Sequence, residues 1–153
     1  MLRIILAGLH LLALGLGLGA VLQRGSALRD VPEHGAVRRG FRTDAVWGLA
    51  AILWLGTGLW RLFGAMEKSS AYYGRNPLFH AKMGLFVLIL ALEIWPMITL
   101  IRWRRAHARG VAPETFAAPA TGRRMAIISH VEALLVVIMI FVSVAMARGL
   151  GAR

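Results

Sequence analysis

The stretch Asn76-Pro77-Leu78-Phe79-His80-Ala81-Lys82-Met83-Gly84 opens an apolar run that continues to Ile101 and carries a histidine and a lysine with it. Proline suits the first turn of a helix, where its missing N–H would be unpaired anyway. A helix of about 25 residues covers roughly 37 Å, enough to cross a bilayer core of about 30 Å. Ionisable side chains at that depth are costly, so His80 and Lys82 are both site candidates.

The rest of the chain agrees with a membrane reading. It has 153 residues, 58% of them hydrophobic, and no cysteine, with a mean hydropathy of +0.66. A single all-α membrane domain over residues 1–153 is expected. The missing cysteine excludes disulfides, thiolate metal sites and covalently attached haem, leaving histidine, methionine and carboxylate as ligands. The formal charge of +11 reads as topology and lipid headgroup contact. It does not read as nucleic-acid binding, because no basic patch outside the apolar runs is interleaved with stacking aromatics.

Four spans are expected, at about 4–22, 46–63, 77–101 and 125–147, forming a four-transmembrane-helix bundle. The first holds His10, with Gly17 on the same helical face and Gly15 and Gly19 as a small-xxx-small pair suited to self-association. Trp47 and Trp60 anchor the ends of the second. Pro96 should kink the third. Between the spans lie two basic loops, 23–45 and 102–124, with five and six arginines, and a short 64–76 connection containing Glu67, Lys68, Tyr72, Tyr73 and Arg75. The positive-inside rule places the two basic loops in the cytoplasm and both termini on the non-cytoplasmic side.

This topology estimates depth, and depth decides which groups can meet. His10 and His80 both fall in the outer half of the bilayer, on spans that run in the same direction. His80 is followed on its own face by Gly84, as His10 is by Gly17. Taken singly, a membrane histidine reads as a packing residue. Two at matched depth beside small faces read as axial ligands of a haem held edge-on between helices. Lys82 points away from His80, about 200° around the helix. Glu93, His130 and Glu132 share the inner half and form an alternative site for a transporter or metal-handling protein.

The leucine-histidine of span one, Phe41-Arg42 after the arginine-rich loop, Gly58-Leu59-Trp60 and Phe79-His80-Ala81-Lys82 resemble the HemJ-type protoporphyrinogen IX oxidases. The chain looks closest to the small bacterial membrane proteins of the DUF2214 family. The HemJ resemblance implies haem b on axial His10 and His80 with Gly17 and Gly84 beside it, and Lys82 as a catalytic residue. It also implies a porphyrin-like substrate, electrons passed to quinone, and an inner-membrane location. Two stretches depart from the HemJ pattern, Glu93-x-Trp95-Pro96 and Ser129-His130-Val131-Glu132, and both fall in the inner half. Copper-resistance-type membrane proteins share the leucine-histidine first span, so a copper reading stays open beside haem.

Overall fold

The computed structural model describes residues 1–63 and 76–151, without the side chains of His34, Arg61 and Leu62. Every regular element among them is a helix: α1 Leu2–Arg29, α2 His34–Phe63, α3 Pro77–Ala108, the single turn α4 Pro113–Phe116, and α5 Pro119–Ala147. Apart from Asn76, the 64–76 connection lies outside the described residues.

Three helices, α1, α3 and α5, are long and apolar enough to cross a membrane. The second expected span is the C-terminal half of α2. That half turns Val46, Leu49, Ile52, Leu55, Leu59 and Phe63 outward. The expected start of α3 is observed: Pro77 occupies the first turn, and the Asn76 side chain accepts a hydrogen bond from the Leu78 N–H at 2.9 Å. Such a cap satisfies one of the free donors of the first turn. The helix continues through Pro96 to Ala108.

The loops differ from expectation. Residues 23–29 continue α1, residues 34–45 begin α2, and residues 102–108 and 119–124 extend α3 and α5. Hydropathy locates where a helix stops being apolar, which is not where it stops being a helix. Helices of 28 to 32 residues reach about 42–48 Å, well beyond the hydrocarbon core. These extensions carry several of the residues that build the site.

α1 packs along α2 and α5, and α3 packs along α5. Small residues permit the close approaches. A Cβ built on Gly17 would meet the Trp47 ring at 3.3 Å, and one on Gly25 would meet His130 Cε1 at 2.5 Å. α2 and α3 instead meet through long side chains, Trp54 on Phe86 and Arg104 over Phe41. The interior divides into two apolar clusters. One contains Ala20, Val21, Trp47, Ile89, Ala133, Val136 and Met139. The other contains Leu28, Val31, Ala36, Val37, Leu100, Trp103, Ala117, Met125 and Ala126. On α1, α3 and α5 a single guanidinium or carboxylate falls between the helix's contributions to the two clusters, Arg24, Glu93 and Glu132 in turn, and on α2 Asp44 lies in the same interval with Arg38, Arg39 and Arg42.

Gly122 marks the tightest crossing, since a Cβ there would lie 2.5 Å from the Leu28 carbonyl oxygen and would also strike Val31. Backbone cannot step aside as a side chain can, so Gly122→Ala should destabilise by about 1–3 kcal/mol. Nothing lies within 4 Å of a Cβ at Gly15 or Gly19, and alanine there should leave the monomer's stability unchanged or raised by up to about 1 kcal/mol. Unfolding of the purified variants, titrated with denaturing detergent and followed by circular dichroism, measures both.

Candidate buried charge centre

Arg24 is fully buried near the C-terminal end of α1. A guanidinium has five N–H donors and no acceptor, and here five hydrogen bonds spend them. Nε donates to Ser129 Oγ at 3.0 Å; Nη1 donates to Asp44 Oδ1 at 3.0 Å and to Glu93 Oε1 at 2.7 Å. Nη2 donates to Glu93 Oε2 at 2.8 Å and to Glu132 Oε2 at 2.6 Å. Glu93 is therefore held in the bidentate fork geometry that makes arginine–carboxylate pairs directional and strong. Trp47 Nε1 donates to the same Glu93 Oε2 at 3.1 Å.

The centre reaches the surface at one side. Arg104, whose side chain is 38% exposed, donates to Asp44 Oδ2 at 2.9 Å and to the Phe41 carbonyl. Three carboxylates (Asp44, Glu93, Glu132) thus face two guanidinium groups (Arg24, Arg104), one negative charge more than the positive charge present. Glu132 is fully buried, and among the described residues its Oε1 has no hydrogen-bond partner.

Glu93 also borders a cavity of about 70 Å³ between the four long helices, lined by Gly17, Trp47, Ala50, Phe86, Val136 and Met139 among others. The centre therefore opens on one side to a small apolar chamber and on the other to the arginine-rich end.

The sequence placed Glu93, His130 and Glu132 in one site. The structure brings Glu93 and Glu132 together on Arg24, with Ser129 beside them. His130 turns aside: its Nδ1 donates to the Ala126 carbonyl at 2.6 Å, and its ring packs over Gly25. Arg24 and Asp44, expected in the basic loop 23–45, lie instead on α1 and α2. A signal for Arg24 was available, because His10, Gly17 and Arg24 are spaced by seven and share a face to within about 20° per step. Arg24 also occupies the middle of the carboxylates, where a metal ion would sit. Among the described residues no group of three or more histidine, aspartate and glutamate side chains is arranged to hold a metal.

The outer candidates lie elsewhere. His10 Nδ1 is 2.9 Å from Thr57 Oγ1, and its ring stacks on Trp54 with centroids 5.2 Å apart. Thr57 gives its own proton to the Leu53 carbonyl at 2.7 Å. It therefore accepts from His10 Nδ1, the arrangement that in a neutral imidazole puts the lone pair on Nε2. His80 is exposed in the first turns of α3, edge-on to Phe79 at 6.1 Å, and Lys82 is half-buried. No atom outside its own helix turn approaches a Cβ position on Gly84, whereas the space beside Gly17 is filled by Trp47.

The tautomer of His10 suits an axial ligand, but the space does not suit a macrocycle. Thr57, Trp54 and Gly58 crowd the ring, and the nearby cavity is about half the ~150 Å³ in which a single benzene is held. Haem at this place would require α1 and α2 to part.

No curated protein and no solved structure matches the chain, so the resemblance to HemJ-type enzymes gains no support from either. A family model described as a predicted membrane protein, DUF2214, matches residues 2–151, and the protein belongs to that family.

Proposed function

We propose that this protein is a small integral membrane carrier working through the Arg24–Glu93–Glu132 centre, with the adjoining chamber as its passage. In this reading all four long helices span a bacterial inner membrane, α2 by its Val46–Phe63 half. The arginine-rich ends of the helices face the cytoplasm and both termini face outward. The observation that carries the proposal is Arg24: fully buried, with all five donors spent on groups from three other helices, and opening through Glu93 onto a chamber.

A purely structural clamp is the competing explanation, and the magnitudes argue against it. Buried ion pairs contribute little net stability, because desolvation offsets the attraction. A clamp also gains nothing from an unmatched third carboxylate or from an orphaned Glu132 Oε1. Ionisable groups retained inside a membrane bundle more often mark a path for ions or substrates.

Because the natural chain has no cysteine, single cysteines report access without background. Ala50→Cys, which lines the chamber, should react with a membrane-impermeant maleimide from both faces in oriented vesicles. Glu93→Gln should shift the ratio of the two rates. Labelling from neither face, or from one face only, would refute the carrier reading.

Arg24→Ala should destabilise the purified protein by about 3–5 kcal/mol, because it strands buried carboxylates. Arg24→Lys, which keeps the charge but replaces a planar five-donor fork with a compact ammonium, should fall between alanine and wild type. Detergent-titrated unfolding checks the order.

The His10 tautomer supports a second reading: a haem b redox protein with ligands His10 and His80, which HemJ likeness would extend to a porphyrin-like substrate, Lys82 as a catalytic residue and quinone as acceptor. The carrier reading expects no Soret band after expression with haem supplied. A band that His10→Ala and His80→Ala each remove would replace it with the redox one.

A further inference from the structure

We propose that Glu93 and Glu132 hold one proton between them, making the proton the ion this centre binds and exchanges. This deepens the carrier reading by naming the coupled ion, but it stands on its own observations.

Glu132 is fully buried and, among the described residues, one of its carboxyl oxygens has no donor. Arg24 cannot supply one, since its five N–H groups already serve Ser129, Asp44, Glu93 and Glu132 Oε2. A bare carboxylate oxygen in an apolar interior is costly. A proton on that oxygen turns it from an unmatched acceptor into a donor. The acidic group within hydrogen-bond reach of Glu132 is Glu93, and the Oε2 atoms of the two carboxyls meet on the same Arg24 Nη2. Two carboxyl groups on one donor nitrogen repel when both are ionised and share a proton readily.

Charge balance points the same way. The charged groups facing the pair are Arg24 from α1, Asp44 from α2 and, through Asp44, Arg104 from α3; His130 on α5 turns away from it to the Ala126 carbonyl. The three carboxylates exceed the two guanidinium groups by one charge, and one proton makes the centre neutral. A metal cation would compete with Arg24 for the position it already holds. The two carboxyls also differ in access. Glu132 is sealed, whereas the Glu93 side chain is 17% exposed and borders the chamber. Glu93 is therefore the member that exchanges the proton with water entering the chamber, and Glu132 the member that retains it.

Infrared difference spectra of the full-length protein in lipid nanodiscs, taken between neutral and alkaline pH, test this. At neutral pH the wild type should show the carbonyl stretch of a protonated carboxyl that shifts in D2O. Glu132→Gln and Glu93→Gln should each abolish it. Should either variant fail to fold, ¹³C-glutamate in the wild type should shift the band and ¹³C-aspartate should leave it in place. A band that survives both substitutions, or that moves with labelled aspartate, overturns the proposal. So does a missing band; if a saturable rise in unfolding temperature with sodium or potassium at fixed pH accompanies it, the centre is a metal-cation site instead. The cysteine labelling above can fail while this band is present, so the two proposals fall separately.

Discussion

A buried guanidinium must find a full set of acceptors, and that requirement organises this bundle. Arg24 lies at the level where α1 leaves one apolar cluster and enters the other. Placing it there without partners would carry a penalty of several kcal/mol. Its five hydrogen bonds recruit Asp44 from α2, Glu93 from α3, and Ser129 and Glu132 from α5. Four helices are thereby fixed at one height and one rotation. Hydrophobic burial alone cannot impose that register in a membrane, where lipid is as apolar as leucine. Close contacts at Gly25 and Gly122 then set how near α1 and the turn after it lie to α5.

Much of the architecture was legible in the sequence, because the bilayer imposes a length and a polarity that local composition reports directly. Pro77, the apolar run to Ile101 and the final apolar segment all translate into observed helices. Much of the two basic segments is helix where loop is expected, and the reason is physical. Arg24, Asp44 and Arg104 flank the apolar windows, and residues outside such windows are assigned to water by default. Helices that outrun the hydrocarbon carry those residues inward again. The spacing His10–Gly17–Arg24 is visible in the chain, but it continues past the end of the apolar run.

The histidines show where depth alone falls short. The expected topology gives His10 and His80 the same height, but height is one coordinate, and a shared ligand requires matching rotation as well. In the bundle His10 turns to α2, to Thr57 and Trp54, and Trp47 fills the space beside Gly17. The inner carboxylates were grouped correctly because each came from a long, well-placed helix with a clear end. Hydropathy alone does not supply the arginine between them, and a pair of glutamates reads equally well as a metal site until the spacing of seven from His10 through Gly17 brings Arg24 onto the same face.

The centre also carries more negative charge than its register role needs. One carboxylate matched to Arg24, with neutral donors elsewhere, would hold the helices at a smaller desolvation penalty. Instead a sealed glutamate and a chamber-facing glutamate meet on the same nitrogen, and Asp44 ties the group to Arg104 at the exposed end. Changing the charge on Glu93 changes what Arg24 must satisfy, and through Arg24 it acts on α1, α2 and α5 at once. A single proton at this junction therefore bears on the packing of the whole bundle, which is the physical requirement for coupling an ion to a change in helix arrangement.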